Sequence, residues 1–350
     1  MSVTSPSLGA SARHMSARGL ALAACALLSL ALAGCGGTAP AAPAATSAQS
    51  AQAGAATQAS QAGAVTFTDD TGREVTVDNP QRVVVGMGSL ADIWRDAGGS
   101  FAGVSDDAFR NFGFDESQVE SIGDHTQLSI EKILALDPDF VILSGNADDD
   151  SSNKGPSQDE LLQSLEASGV TVAFFKVDTF DDYLRTLKTF TDITGRPDLY
   201  RQYGEDVKAR VDQALSTYDV SAEKPRVLVM TASSKGAKAQ APDHMASLMV
   251  KQLGATLLTE ENPSLLTDFS LEAVAELDPD YIFVLPAAKD NETAQRNYEQ
   301  AVEGNAAWQG VGAVQRGDVT VLDIEHFFRK PNAEWDQAYV TLGKALKGEE

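Results

Sequence analysis

The sequence predicts an α/β fold class: two similar α/β lobes with central sheets, joined by one long helix. Three observations predict it. The stretch LSIEKILALDPDFVIL (128–143) recurs as FSLEAVAELDPDYIFV (269–284) at a constant offset of 141 residues. The short apolar run RVVVGM (82–87) has a counterpart in RVLVM (226–230), and each run leads into a helical pattern that stops at glycine, Gly98 and Gly254. Residues 179–219, between the halves, carry apolar positions at helical spacing. Helix–turn–strand units of this kind alternate with parallel strands buried on both faces. Chance likeness of common α/β units is the rival reading, and the fixed register of the repeat opposes it.

Taken in order, Arg13, His14 and Arg18 precede an uncharged apolar run over 19–34. That run is shorter than the ~20 residues a spanning helix needs. A positive flank, a short apolar stretch and small residues describe a secretory signal over 1–34, with Met15 as an alternative start. The run closes on Leu32-Ala33-Gly34-Cys35, which resembles the bacterial lipobox and implies a lipid on Cys35 at the mature N-terminus. The following GGTAPAAPAATSAQSAQAGAATQASQAG has no charge and no aromatic ring, so it cannot offset its ordering entropy. A flexible tether is predicted over 35–63.

The first lobe is expected over 64–178. VTFTDDTGREVTV (65–77) alternates around Asp70-Thr71-Gly72 and reads as a β-hairpin. Residues 82–87 read as a buried parallel strand. LADIWRDAGG (90–99) reads as a helix capped by Ser89 and stopped by Gly98 and Gly99. In the repeated unit Ser129 and Ser270 cap short helices, and Asp-Pro-Asp ends each one because proline disfavours helical geometry in the residue before it.

The connecting helices are expected over 179–221. FDDYLRTLKTF (180–190) has helical spacing, and Pro197 can open a second helix at its first turn. Leu199, Tyr203, Val207, Val211 and Leu215 form a stripe four residues apart. A helix from Pro197 to Asp219 would measure ~34 Å and act as a strut that limits hinge closure. The second lobe is expected over 222–350, with Asp243 capping the helix that ends at Gly254. Its loop from strand to helix is about 12 residues longer than in the first half.

Composition narrows the function. The chain holds 27 Lys and Arg against 50 Asp and Glu, a formal charge of −23, which would repel a phosphate backbone and argues against nucleic acid as a partner. The only cysteines are Cys25 and Cys35, so nothing downstream forms a disulfide framework or a thiolate metal site. There is no GxGxxG, GxxxxGK[ST], HExxH or GxSxG, and no nucleophile beside a base; neither an enzyme nor a cofactor is predicted. The histidines His14, His125, His244 and His326 are too few and scattered for a free zinc or manganese site, so no direct metal ligation is predicted. The acidic run 148–153 lacks the sixth-position glycine of a calcium loop and reads as solvated.

TDDTGREVTVDNPQRVVV, LADIWRDAGG, FAGVSDD and IEKILALDPDFVIL, in that order, resemble the periplasmic-binding family for iron-siderophores, haem and cobalamin. HFFRKPNAEWDQAYVTLGKAL is similar to the closing strand–loop–helix of iron-complex binders. No single motif is diagnostic; their order and spacing are. The resemblance spans roughly residue 65 to the C-terminus. It implies a ligand cleft between two rigid lobes, a monomer, and no chemistry performed. It further implies an ABC permease and its ATPase as partners, and an extracytoplasmic place on the cell membrane through the Cys35 lipid. The first choice of ligand is a ferric siderophore. Haem and cobalamin are the alternatives within the importer class, and a surface adhesion lipoprotein is the rival outside it. The haem branch often places a Tyr, His or Met near Asp124, Thr126 and Ala287; those ligands are absent here, though His125 is adjacent. Glu131 and Glu272 hold equivalent places in the repeat, and resemblance to the cobalamin branch implies that they dock onto permease arginines. Each also favours its helix N-terminus, a compatible reading.

Ligands of open α/β sheets sit beyond the carboxyl ends of the strands. That rule selects the loops holding Met87, Ser89, Phe109, Arg110, Phe112, Phe114 and His125 in the first lobe. In the second it selects Lys235, Lys238, His244, Lys289, His326, Phe327, Phe328, Arg329 and Lys330. Cations and rings in an acidic chain point to an anionic, partly aromatic guest such as a ferric catecholate or carboxylate, or haem propionates. Arginine forks onto paired oxygens, and rings cover ligand faces. The bland reading of each cation is a solvated surface charge, and of Phe327 a core residue.

Overall fold

The computed structural model describes residues 63–145 and 158–349. The expected signal, Cys35, the tether up to residue 62 and the acidic run 148–153 lie outside the described residues. No helix among the described residues is long and apolar enough to cross a membrane.

Val65–Thr68 and Glu74–Val77 pair antiparallel, with Val65 opposite Val77. The turn between them is organised by Asp69, which is buried. Its carboxylate accepts from the backbone N–H groups of Thr71 and Arg73 and from the Thr71 hydroxyl, at 2.8–3.0 Å. Gly72 supplies the left-handed residue that this turn requires, at φ 83°.

Two separate five-stranded sheets follow. The first runs Glu120–Ser121, Gly103–Val104, Val83–Val85, Phe140–Ser144, Thr171–Phe175, parallel throughout. The second centres on Arg226–Ser233, which is parallel to Tyr281–Pro286, itself parallel to Val319–Val321. On its other side the start of Arg226–Ser233 pairs with Thr256–Leu257, and its end turns back onto the antiparallel Gly236–Ala239. Val83, Val84, Val85, Val227, Leu228 and Ile282 are each 0% exposed, as strands covered on both faces must be.

The repeat is a matched pair of brackets. Ser129 accepts from the Lys132 N–H and Ser270 from the Ala273 N–H, which caps Ile130–Ala135 and Leu271–Leu277. The first Asp of each Asp-Pro-Asp turns left-handed, at φ 48° for Asp137 and 45° for Asp278. The second Asp reaches back to the start of the central strand. Asp139 accepts from the N–H groups of Gln81 and Arg82, and Asp280 from that of Arg226. Arg82 and Arg226 complete the brackets by donating to the carbonyls of Leu136 and Leu277.

Three local expectations are corrected. Ser89 does not cap the first helix. Gly88–Asp96 starts two residues earlier with Met87 at the cap position, and Ser89 lies buried inside its first turn. Asp243 does not cap the second-lobe helix. His244 does, its Nδ1 accepting from the Ala246 N–H at 3.2 Å. The connecting helix is not uniform: Pro197–Tyr200 and Asp206–Thr217 are α-helical, but Arg201–Glu205 is π-helical. A stripe spaced by four drifts around a 3.6-residue helix, and one wider turn takes up part of that drift. Val207 and Val211 are thereby kept in the core.

Phe180–Thr194 opens with a capping box of Thr179 and Asp182 and packs on Gly88–Asp96 of the first lobe. Asp206–Thr217 packs on the terminal helix Trp335–Lys347. One apolar cluster runs from Val83 and Trp94 through Phe190 and Val211 to Val229, Met249 and Trp335. The lobes thus share a continuous core through the connecting helices, and hinge motion would have to disturb it.

Candidate functional site

The first-lobe wall is built where Val83–Val85 ends. The chain passes directly through Gly86, Met87 and Gly88 into the helix. Asp107, itself buried, fixes this turn: its Oδ2 accepts from the Gly88 N–H at 2.9 Å and its Oδ1 from the Ser105 hydroxyl at 2.6 Å. It does from a neighbouring helix what an N-cap side chain would do locally. Gly88 must be glycine for this approach. A Cβ there would lie 2.8 Å from the Ala108 backbone nitrogen and 2.7 Å from Asp107 Oδ2.

Beyond these strand ends lies a hollow of about 180 Å³. Met87, Ser89, Phe112 and His125 line it from the first lobe, together with Ser144 and Phe175 at the ends of their strands. Phe328, Arg329 and Lys330 close it from the second. The adjacent Phe327 and Phe328 divide their roles, Phe327 being 5% exposed in the core and Phe328 57% exposed.

The structure therefore brings Met87, Ser89, Phe112, His125, Phe328, Arg329 and Lys330 together and places the other nine candidates elsewhere, Phe114 and Phe327 in or against the core. Phe109 packs against the core. Arg110 points to Asp124 at 2.6 Å, a largely exposed pair of small energetic worth. Against the upward push of burial, the bonds from Arg110 and Thr126 hold the Asp124 carboxyl down at about 2. The expected second-lobe loop is in fact a β-hairpin, with Lys235 at its turn and Lys238 on its outer strand, both exposed. Lys289 is exposed just before the helix Asn291–Val302. His244 is committed to its cap; burial, then the Lys330 ammonium, push it down to about 4, so it is neutral near pH 7. His326 sits between Asp323, 2.9 Å from its Nδ1, and Glu334, 3.1 Å from its Nε2. Asp323 first, then Glu334, raise its pKa against burial.

The cations that do reach the hollow are already partnered. Arg329 donates to Glu325, and Lys330 Nζ lies 3.3 Å from Asp178 Oδ1. A second hollow of about 270 Å³, which shares Phe112, Arg329 and Lys330 with the first, is lined also by Asp92, Asp96, Glu325 and Glu334. There burial, then the Asp92 charge, push the Asp96 carboxyl up to about 7. No cluster of His, Cys, Asp and Glu suited to a metal ion occurs among the described residues.

Glu131 and Glu272 are both exposed in the first turns of their helices. Glu272 accepts from Asn305 at 3.0 Å, which lowers its pKa. Sequence reading missed Asp107, Asp178 and Asn332, which shape the hollow through contacts far along the chain. Only Pro331-Asn332 left a local trace, since asparagine tolerates the left-handed geometry it adopts at φ 47°.

Comparisons with known proteins bear on this site. The structure of the siderophore binding protein BauB, bound to a complex of two acinetobactin molecules and ferric iron, superposes with a TM-score of 0.61 at 16% identity, covering 82% of this chain and all of the other. A periplasmic heme binding protein from Pseudomonas aeruginosa superposes with a TM-score of 0.57 at 23% identity, over 76% of this chain and 92% of that one. These likenesses establish the two-lobed fold. In sequence, the chain is 24% identical over 275 residues to the putative ABC transporter substrate-binding lipoprotein YhfQ of Bacillus subtilis (strain 168), over 74% of this chain and 81% of the relative. The family model described as periplasmic binding protein matches residues 83–325. That match takes in both sheets and most of the hollow, and the chain belongs to the periplasmic binding protein family.

Proposed function

We propose that the protein is the membrane-tethered substrate-binding component of an ABC importer, and that it captures a ferric siderophore and delivers it to the permease. The observation that carries this reading is the hollow at the strand ends, where Met87, Phe112 and His125 face Phe328, Arg329 and Lys330. Rings and a methionine supply apolar contact, while Arg329 offers its fork to oxygen pairs. At about 180 Å³ the hollow is smaller than the ~300 Å³ of an ordinary small-molecule pocket, so a chelate would rise out of it between the lobes. The names of the relative and of BauB support the importer role and the ligand class. Because Arg329 and Lys330 are already paired, a guest's oxygens must compete with Glu325 and Asp178, which favours multiply charged chelates over weak anions.

A second reading, haem, is favoured by His125. Of the three described histidines it alone lines the hollow, and its side chain is 35% exposed. The two readings separate in one panel: thermal shift with ferric siderophores, haemin and cobalamin, plus an absorption spectrum with haemin. A shift with a ferric siderophore supports the first, a Soret shift moves the answer to haem, and no response to any ferric siderophore rejects the first choice.

On this reading Cys35 carries the lipid and 36–63 forms the tether. Exposed Glu131 and Glu272 offer one carboxylate per lobe to a basic permease surface. Glu131→Ala with Glu272→Ala is expected to leave ligand affinity unchanged and to lower uptake in cells; unchanged uptake would remove the docking role.

A further inference from the structure

The segment that brings Phe328, Arg329 and Lys330 to the hollow belongs to the second lobe, yet it is fastened to the first. Asn332 is 2% exposed, and its Nδ2 donates to Asp92 Oδ2 at 2.7 Å and to the Ser89 carbonyl at 3.2 Å. Both acceptors lie on Gly88–Asp96, the helix whose start forms the first-lobe wall. Backbone geometry suits this reach: Lys330 and Asn332 are both left-handed, at φ 87° and 47°, so the chain folds back on either side of Pro331. Such geometry costs energy in residues other than glycine and persists where surrounding contacts hold it. Asp92 is held in turn by Arg95.

We propose that Asn332 is a positioning residue, a latch that docks the second-lobe ligand loop on the first-lobe helix and so sets the place of Arg329 and Lys330 over the hollow. A neutral amide is the right group here. It can donate to a carboxylate and to a carbonyl together, whereas a carboxylate at 332 would face Asp92 with like charge. The inference rests on the importer reading only for what the latch serves; the latch itself is a property of the ligand-free protein.

The test is hydrogen exchange by mass spectrometry on the whole purified protein without ligand, followed over 88–96 and 326–334. Asn332→Asp should speed exchange in both segments by about tenfold or more, the scale of losing a buried hydrogen bond to a carboxylate. Asn332→Gly, which keeps the left-handed backbone and removes only the amide, should act in the same direction. The exchanged pair Asp92→Asn with Asn332→Asp restores a donor facing a carboxylate and should recover part of the protection, though the Ser89 carbonyl stays without its donor. A purely structural role for Asn332 would not give that recovery. Unchanged exchange in Asn332→Gly, or a double variant no better protected than the worse single one, would overturn the latch. Titration of the same variants with ferric enterobactin reads the separate question: a wild-type protein that binds no ferric siderophore refutes the importer ligand, while the exchange data still decide the latch.

Discussion

The two lobes are built on the same bracket but finished differently where they face each other. In both, a serine-capped helix and an Asp-Pro-Asp turn pin the start of the central strand. At the strand's other end they diverge. The first lobe turns at once into a helix whose leading N–H is held by Asp107 from a neighbouring helix. The second lobe inserts the hairpin strand Gly236–Ala239 and then caps its helix locally with His244. The duplicated ends are scaffold, and the divergent ends are where a ligand would be met.

The sharpest break of that comparison is Asp107→Ala. It strips a buried carboxylate from two donors, and should cost about 3 kcal/mol in denaturant unfolding, against about 1 kcal/mol for removing the His244 cap with His244→Ala. Equal losses would mean that the two helix starts are not held differently after all.

The lobes should also respond to pH with opposite sign. Asp96 in the first lobe is raised to about 7, so its folded form keeps a proton that the unfolded chain has released. The stability it contributes is present below its unfolded value and lost as pH rises through about 7. Asp96→Asn should raise Tm at pH 8 by roughly 5 °C, and that advantage should shrink below pH 7. His244 in the second lobe is lowered to about 4, so the unfolded chain takes up a proton first and stability falls as pH drops from about 6.5 toward 4. His244→Asn keeps a capping oxygen and should flatten that part of the Tm–pH curve. Slopes of the same sign in the two difference curves would contradict these assignments.

The smallest effect sharpens the likeness. Asp139 holds two backbone N–H groups, whereas Asp280 holds one because Pro225 occupies the place of Gln81 and has none to offer. At about 1 kcal/mol per bond, Asp139→Ala should destabilise about twice as much as Asp280→Ala in urea unfolding.

What could be read in advance follows the same division. The capped helix of each bracket was legible because its chemistry is local, a serine three residues before the N–H it caps and a proline that ends the helix, whereas the pinning of the strand start by Asp139 and Asp280 was not, since those contacts span more than fifty residues. The hairpin at Asp70 and the buried run at Val83 were legible for the same reason. The helix starts beyond the other strand ends were not. Ser89 looks like a cap, but Asp107, some twenty positions away, already serves the turn, and the serine is drawn inside the helix. Asp243 looks like a better cap than His244, yet the histidine, kept neutral by burial, has a free Nδ1 to accept with. Strand-end logic named Met87, Phe112, His125 and Arg329, and these do meet at the hollow. It could not foresee that Arg110, Arg329 and Lys330 would each be matched by a carboxylate, because those partners come from tertiary contact.

The most direct test of the ligand-binding account is a crystal structure of the protein with the ferric siderophore that gives the largest thermal shift. The account predicts the chelate between the lobes, touching Phe112 or His125 on one side and Phe328 or Arg329 on the other, with Arg329 turned from Glu325 toward ligand oxygens. A chelate bound instead in the cavity of about 390 Å³ bordered by Phe180, Met249 and Tyr339 would contradict it.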